Sequence, residues 1–303
     1  MPDGSGGRGR DANRYAEPDT TTDVAPTRRD YLAGLAGCTG RGTAPVSVLA
    51  AGSLQRYLDE TLPGVVEAPV ETEAHGSATV ARLVADGQRD PDVVVLADPA
   101  LFALTGASWH AAVATNALAL AYDPDSPVGR RLAAGERWFE VLLDVPGSVG
   151  RTDPDLDPLG YRTLFALQLA AARHDRPELL GLPRADQIRP ETALLSAFET
   201  GAVDTAMVYR SMADERDYPA VDLPAAVDLS DPAKAATYAE ASYELPGRVV
   251  RGDVIEYAVT RRRDRPAVRA VFEAVAAGDG LTDHGFTVPS SYPSYRGDVP
   301  LDV

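Results

Sequence analysis

Two Gly-Ser turns near the start of the chain constrain its fold more than any other feature. Gly52 and Ser53 end an apolar run that begins at Val46, and Gly76 and Ser77 follow a short polar segment further along. Each turn leads into residues with helical periodicity. A strand that passes into a helix through such a turn directs backbone N–H groups and a hydroxyl at an anion. Serine is also an ordinary helix cap, so it is the pair that favours an oxyanion site.

From residue 46 onward, apolar runs bounded by turn residues alternate with helical segments. Strands are predicted at 46–50, 65–71, 92–96, 117–122, 204–209 and 254–259. Helices are predicted at 54–62, 77–86, 137–143, 159–173, 191–200 and 266–277. This order predicts an α/β fold with mostly parallel sheets flanked by helices. Ligands bind such sheets at the carboxyl ends of strands, where both Gly-Ser turns would lie.

Breaks in this alternation predict three parts. Residues 1–45 form an N-terminal part whose first 27 residues, rich in Gly, Asp, Pro and Thr, are predicted to be disordered. The Pro- and Asp-rich stretch 123–127 predicts a crossing into a second lobe, and a return is predicted near 246–253. The first lobe would therefore be discontinuous, comprising 46–121 and 253–303, and the second lobe would comprise 122–252.

Composition bounds the partners of this 303-residue chain. Its formal net charge of -16 argues against a nucleic-acid partner, because phosphates would be repelled over most of the surface. No apolar run approaches the roughly 20 residues of a membrane-spanning helix. Lys234 is the only lysine, and an acidic, lysine-poor surface suggests adaptation to salt. An anion site in such a protein must work through local dipoles and hydrogen bonds, helped by salt screening.

The N-terminal part contains a candidate export signal. Arg28 and Arg29 precede a short apolar stretch, residues 31–37, and then Cys38. This order resembles a twin-arginine signal that ends in a lipobox, which predicts an extracytoplasmic lipoprotein anchored through Cys38. The alternative is a short amphipathic helix with a free thiol in a protein that stays in the cytoplasm. Since Cys38 is the only cysteine, an internal disulfide is excluded in either compartment.

A set of motifs resembles one known family. In order along the chain they are Ala51-Gly52-Ser53-Leu54, Gly76-Ser77, residues 90–98, residues 153–162, Arg189-Pro190-Glu191-Thr192, residues 200–204 and Tyr209-Arg210-Ser211. Over residues 46–291 they resemble the archaeal-type molybdate/tungstate-binding proteins of ABC importers, the WtpA branch of the ModA-like group. The segment Asp157-Pro158-Leu159-Gly160-Tyr161-Arg162 is the most specific of these motifs.

The resemblance implies a two-lobed type II solute-binding fold that closes on a tetrahedral oxyanion. By motif, Asp157 and Glu191 would coordinate the Mo or W centre itself, while Ser53, Ser77 and Tyr209 would hold its oxo groups. Two carboxylates would repel a dianion by like charge, so they can contribute to binding only if their oxygens reach the electropositive metal centre. Sulfur does not expand its coordination in this way, so the site should disfavour sulfate.

The same residues also have ordinary structural explanations. Asp157 could cap the helix predicted from residue 159, and Glu191 could be a first-turn acid favoured by the helix dipole. Tyr209 ends an apolar strand and could belong to the core. Asp98 is interpreted as a helix cap.

The predicted function is therefore a monomeric, non-enzymatic receptor that binds molybdate or tungstate, needs no cofactor and passes its ligand to an ABC importer permease. Enzyme interpretations are weaker, because no Gly-x-Ser-x-Gly nucleophile elbow is present and the four histidines are scattered. Two alternatives remain open at this point. One is an intracellular oxyanion sensor or regulatory module, and the other is a receptor for sulfate or phosphate.

Overall fold

The computed structural model describes residues 44–145, 149–245, 247–301 and 303, and for Glu191 and Thr192 it describes the backbone alone. The predictions for residues 1–43, including lipidation of Cys38, lie outside the described residues. In chain order the strands are β1 (Val46–Ala51), β2 (Val70–His75), β3 (Val93–Leu96), β4 (Trp109–Thr115), β5 (Leu118–Tyr122), β6 (Val149–Thr152), β7 (Ile188–Arg189), β8 (Thr205–Tyr209), β9 (Ala220–Asp222), β10 (Ser242–Leu245), β11 (Arg248–Arg251), β12 (Glu256–Arg261) and β13 (Ser294–Gly297).

Helices connect these strands. The α-helices are α1 (Leu62–Val65), α2 (Ser77–Ala85), α3 (Phe102–Thr105), α4 (Pro127–Ala133), α5 (Trp138–Asp144), α6 (Pro158–His174), α7 (Glu191–Glu199), α8 (Arg210–Asp214), α9 (Ala235–Tyr238) and α10 (Pro266–Ala277). A 3₁₀ turn (Gly52–Leu54) and a π-helical segment (Tyr57–Thr61) follow β1. None of the helices in the described ranges is long and apolar enough to cross a membrane.

Two sheets organise the chain. The first has the strand order β13-β4-β12-β3-β1-β2, and the second has the order β7-β6-β8-β5-β9. Strands β3 and β12 lie inside the first sheet and every residue in them is buried, which explains the continuous apolar character of β3. The α/β class predicted from the alternating pattern is confirmed.

The sheets are mixed, so the prediction of mostly parallel strands is wrong. Strand β1 runs parallel to β2 and β3, and β6 runs parallel to β7 and β8. Strand β12 runs antiparallel to both β3 and β4, and β5 runs antiparallel to both β8 and β9. The chain passes between the sheets twice, and β5 and β12 are the first strands after these passages. Each of them runs antiparallel to both of its neighbours.

The passage into the second sheet occurs earlier than the sequence predicts. Strand β5, placed in the first lobe by the sequence, belongs to the second sheet, so the chain crosses at Asn116 and Ala117. The predicted crossing at 123–127 instead lies between β5 and α4, where Ser126 is the N-cap and its hydroxyl accepts a hydrogen bond from the Gly129 N–H at 2.8 Å. Proline and acidic residues serve helix starts as well as linkers, which explains the error.

The return to the first sheet lies between Arg251 and Glu256, the ends of β11 and β12. There the Asn116 N–H donates to the Ile255 carbonyl at 3.1 Å, so the two crossing segments lie side by side. Strands β10 and β11 form a separate antiparallel hairpin just before the return.

The strand predicted at 65–71 is displaced in the structure. Val65 ends α1, and β2 begins only at Val70 and runs to His75. Strand β2 is at the edge of the first sheet, where Glu71 is exposed and Glu73 partly exposed. An edge strand accepts such polar residues, so the sequence of β2 resembles that of a loop. The strand was therefore predicted to begin earlier, at the apolar pair Val65-Val66.

Candidate functional site

The two predicted serines lie at the carboxyl ends of neighbouring parallel strands. Ser53 follows β1 in the 3₁₀ turn, and Ser77 is the first residue of α2 after β2. Both side chains are buried. The Ser53 Oγ is 2.9 Å from the Tyr257 Oη, and the Ser77 Oγ accepts a hydrogen bond from the Ala97 N–H at 2.9 Å.

Neither serine is the N-cap of its helix, because Ala51 and Gly76 occupy those positions. The first hydrogen bond within α2 runs from the Val80 N–H to the Gly76 carbonyl, so the N–H groups of Ser77 and Ala78 have no acceptor inside that helix. The simple capping explanation of the Gly-Ser turns is therefore not what the structure shows. The start of α2 offers the backbone donors that an anion site needs.

Asp157 lies opposite these turns, at the N-cap of α6. Its Oδ1 accepts a hydrogen bond from the Leu159 N–H at 3.3 Å, so the capping explanation is correct for one oxygen. The other oxygen, Oδ2, is buried, and no hydrogen bond of ordinary geometry joins it to a described residue, including the nearby Thr152 hydroxyl. A buried carboxylate oxygen without a partner is uncommon and calls for an explanation.

Burial raises the pKa of the Asp157 carboxyl to about 6, and this effect outweighs the opposing contributions of Thr152, the Leu159 N–H and Arg162. This carboxyl is therefore easier to protonate than an ordinary aspartate. A ligand that brings positive character to Oδ2 would favour the ionised form.

Tyr209 ends β8 and faces the same region. It is completely buried, and its Oη accepts a hydrogen bond from Arg162 Nη1 at 2.7 Å. Its ring centre lies 6.1 Å from that of Tyr257, the residue that contacts Ser53. The prediction that Tyr209 ends an apolar strand is confirmed, and burial alone does not decide between a core role and a ligand role.

A second contact joins the first sheet to α6. The Tyr161 hydroxyl donates to Asp98 Oδ2, while Asp98 Oδ1 accepts from the Ala100 N–H at 2.9 Å. Asp98 is thus the helix cap that the sequence predicts, and it also binds α6. Asp98 follows Ala97, whose N–H donates to the Ser77 hydroxyl. The Tyr161–Asp98 contact therefore connects α6 to the second Gly-Ser turn through Ala97.

The two sides of the cleft are in contact in this structure. The Leu156 carbonyl accepts hydrogen bonds from the N–H and the hydroxyl of Thr79, at 3.2 and 3.3 Å. Arg82 donates to the Asp155 carbonyl at 2.7 Å. Gly76 lies so close that a Cβ added to it would be 2.6 Å from the Leu156 carbonyl oxygen and 2.9 Å from the Asp157 Cβ. The turn at Gly76-Ser77 and the start of α6 therefore meet directly.

The side chain of Glu191, the second predicted carboxylate, lies outside the described residues. Its backbone begins α7 directly after Pro190, and α7 contacts the 3₁₀ turn Gly52–Leu54. The structure thus links Ser53 to Tyr209 through Tyr257, sets the Gly76-Ser77 turn against Asp157, and places the start of α7 beside the turn Gly52–Leu54. The role of Glu191 stays a prediction.

Three residues of the cleft were missed as site residues by sequence reasoning. They are Tyr161, Arg162 and Tyr257, all buried. Tyr161 and Arg162 stand inside the most specific motif, which was the available signal, whereas Tyr257 sits in an apolar strand and carries no local signal.

Cavities open on two flanks of the cleft. One of about 430 Å³ lies beside Ser53, between the segment 52–60 and α7 and α8. Another, of about 220 Å³, lies between Gly76, Asp157 and Pro190. Both flank the convergence of the predicted residues, so a small solute has room beside them. Among the residues that the structure describes, no group of three or more His, Cys, Asp or Glu side chains could hold a bare metal ion.

Comparison with known proteins gives one family and close relatives. A family model described as bacterial extracellular solute-binding protein matches residues 46–286. A protein of Haloferax volcanii named "Putative ABC transporter molybdenum-binding protein" is 57% identical over 276 residues, covering 89% of this chain and 90% of that protein. The molybdate/tungstate-binding protein WtpA of Pyrococcus abyssi is 26% identical over 270 residues, covering 75% of this chain and 78% of its own.

A solved structure shares the fold. The periplasmic molybdate-binding protein of Azotobacter vinelandii superposes with a TM-score of 0.52 over 81% of this chain and 100% of its own, at 14% identity. At this identity the likeness concerns the fold, and it supports the two-sheet arrangement described above.

Proposed function

Because this chain belongs to the family of bacterial extracellular solute-binding proteins, we propose that it captures molybdate or tungstate and delivers the ligand to an ABC importer. The names of its relatives from Haloferax volcanii and Pyrococcus abyssi support this ligand class. Membership in the family makes the protein an extracytoplasmic receptor, and receptors of this kind are generally not enzymes.

One observation carries the choice of ligand. Asp157 Oδ2 is buried in the cleft without a hydrogen-bond partner of ordinary geometry, although the other oxygen of the same carboxyl is used as a cap. A sulfate oxygen would meet this carboxylate as a second hydrogen-bond acceptor, and a phosphate could approach it only through a P–OH group. A Mo(VI) or W(VI) centre would instead present an electropositive atom to Asp157 Oδ2. The carboxylate of Asp157 therefore favours molybdate or tungstate as the ligand.

The remaining residues would hold the oxo groups. Ser53 and Ser77 carry hydroxyls that donate without adding charge, the first N–H groups of α2 add backbone donors, and Tyr209 lies across the cleft. Glu191, at the start of α7, is the proposed second carboxylate on the metal centre. Closure would bury the anion between the two sheets, and the permease would receive it from the closed form.

Titration calorimetry of the full chain with molybdate, tungstate, sulfate and phosphate at high salt tests the ligand. We expect tight one-to-one binding of the first two and weak or absent binding of the others. Equal binding of sulfate would favour a site that works by hydrogen bonds alone, and Asp157→Asn separates the two mechanisms. That variant should lose molybdate binding, whereas a sulfate site of the hydrogen-bonding kind should tolerate it.

Membrane attachment is proposed as a separate property. Lipidation of Cys38 would anchor a monomeric receptor at the cell surface. Cell fractionation tests it, since a chain with Cys38→Ser should leave the membrane fraction, and an unchanged distribution would contradict the anchor.

A further inference from the structure

The proposed site would concentrate negative charge in a buried place. Asp157 and Asp98 are both buried at the cleft, and the ligand would add two negative charges. The protein as a whole carries a formal net charge of -16, so long-range attraction gives no help. Buried charges of one sign are costly unless an opposite charge lies close by. A local cation is therefore needed.

Surface arginines around the cleft are already engaged. On one flank Arg56 forms an ion pair with Glu60 at 3.1 Å, and Arg216 lies 3.6 Å from Glu199. These side chains are partly exposed to solvent, which screens their charges. They contribute little to the potential inside the cleft.

Arg162 differs from them in burial and in partners. Its side chain is only 4% exposed, and it lies on the first turns of α6, five residues after Asp157. Nη1 donates to the Tyr209 Oη at 2.7 Å, and the guanidinium carbon lies 5.8 Å from the centre of the Tyr209 ring. The guanidinium thus fixes Tyr209 by a charge-assisted hydrogen bond and by a contact with its ring.

The guanidinium remains charged despite its burial. Burial lowers its pKa, but the nearby Tyr209, Tyr161 and Asp98 outweigh this effect and keep the pKa above the ordinary value for arginine. Arg162 is therefore a permanent positive charge among the side chains of the proposed site.

We infer that Arg162 is the buried counter-charge of the oxyanion site and that its guanidinium also holds Tyr209 in position to bind the ligand. This inference rests on the proposed function, because it deepens the account of the same site. It makes Arg162 a positioning residue, since the contact that the structure shows is with Tyr209. A lysine at this place would keep the charge but lose the planar donor geometry.

Arg151 provides a matched control. It is also buried, at 6% exposure, and lies in the second sheet on β6. Its Nη2 donates to the Arg184 carbonyl at 2.9 Å. Replacing Arg151 removes a buried guanidinium that holds a backbone carbonyl and does not contact Tyr209. Molybdate affinity should therefore remain unchanged.

The experiment measures molybdate affinity by calorimetry and thermal unfolding in parallel for the wild type, Arg162→Gln, Arg162→Lys and Arg151→Gln. We expect Arg162→Gln to weaken binding by about 100-fold. Arg162→Lys should recover part of this loss and remain about 10-fold weaker than the wild type. The loss of affinity should not follow the thermal midpoint, because Arg151→Gln lowers stability without lowering affinity.

The experiment distinguishes failure of this inference from failure of the proposed function. A wild type that binds neither molybdate nor tungstate ends the proposed function and this inference with it. A wild type that binds, with Arg162→Lys or Arg162→Gln binding as tightly as Arg151→Gln, overturns the inference alone. If Arg162→Gln does not fold, Arg162→Lys still decides, since affinity within twofold of the wild type contradicts the positioning role.

Discussion

At the scale of single residues, Asp157 shows how one carboxyl group can serve structure and binding together. Its Oδ1 accepts the Leu159 N–H at the start of α6, while its Oδ2 is left without a partner of ordinary geometry. An asparagine would keep the capping oxygen and remove the charge. The stability and the binding of the protein should therefore respond in opposite directions to this one substitution.

We expect Asp157→Asn to raise the free energy of unfolding of the ligand-free protein by about 1–3 kcal/mol at pH 7.5. The folded-state pKa of Asp157, about 6, lies above the ordinary aspartate value of 3.8, so ionisation costs stability as pH rises through this interval. The advantage of asparagine should be full above pH 6 and absent below about pH 4. Urea unfolding at several pH values measures it, with the exposed Asp298→Asn, just after β13, as the control. A lower stability at pH 7.5 would contradict the assignment.

Molybdate affinity should fall on acidification from pH 7.5 to pH 5. Coordination of the metal centre needs an ionised Asp157, and burial raises its pKa to about 6. Below that pKa the affinity should fall by up to about tenfold per pH unit, since one proton must leave. Calorimetry measures this trend. Affinity that rises in acid would instead indicate that protonated Asp157 donates a hydrogen bond to an oxo group.

Motifs in the sequence supplied the candidate residues Ser53, Ser77, Asp157 and Tyr209, and their roles in binding stay predictions. Contacts that depend on burial could not be predicted in this way. The role of Arg162 in holding Tyr209 depends on a contact between residues that are 47 positions apart, which no local pattern reveals. Tyr257 reaches Ser53 from β12, a still more distant strand.

At the scale of elements, the site depends on how closely α2 and α6 approach each other. Gly76, at the N-cap of α2, leaves room for the Leu156 carbonyl and Asp157 on the opposite side. Its backbone angles are accessible to any residue, so this glycine is required by the close approach of the two elements and not by the turn itself.

Gly76→Ala should weaken molybdate binding by about 10- to 100-fold, because the added Cβ would lie 2.6 Å from the Leu156 carbonyl and keep the cleft from closing fully. Thermal stability should change little, since opening the cleft relieves the clash. Gly64→Ala on α1 is the matched control, because a Cβ there meets no atom within 4 Å. Equal affinities of the two variants would show that this approach is not needed for binding.

Elements were predicted well where their pattern is local. Helix α10 begins and ends at the predicted residues, Pro266–Ala277, with proline at its start and Gly278 in the left-handed conformation at its end. Strand β4 was missed although it is almost entirely buried, because its alanines resemble helix. Membership of a sheet is not local either, and β5, which the predicted boundary leaves in the first lobe, pairs with strands of the second sheet.

At the scale of the whole molecule, fold class and family follow from the sequence, and both are confirmed. The charge of the protein adds a property that no single element shows. A chain with a formal net charge of -16 repels a dianion at long range, and salt screens this repulsion. The buried site itself is screened much less.

The rate of association with molybdate should therefore increase with NaCl concentration, whereas the dissociation rate should change little. Stopped-flow tyrosine and tryptophan fluorescence across a range of NaCl concentrations measures both rates. A control series with sucrose in place of salt separates screening from general effects of added solute. A rate that falls as NaCl is added would point to attractive steering by a cationic surface and contradict this expectation.

Two consecutive residues of α6 make contacts in different directions, since Tyr161 binds Asp98 beside the first sheet and Arg162 binds Tyr209 of the second. One turn of α6 thus ties the two sheets to each other, so the sheets can move apart only if one of these two hydrogen bonds breaks.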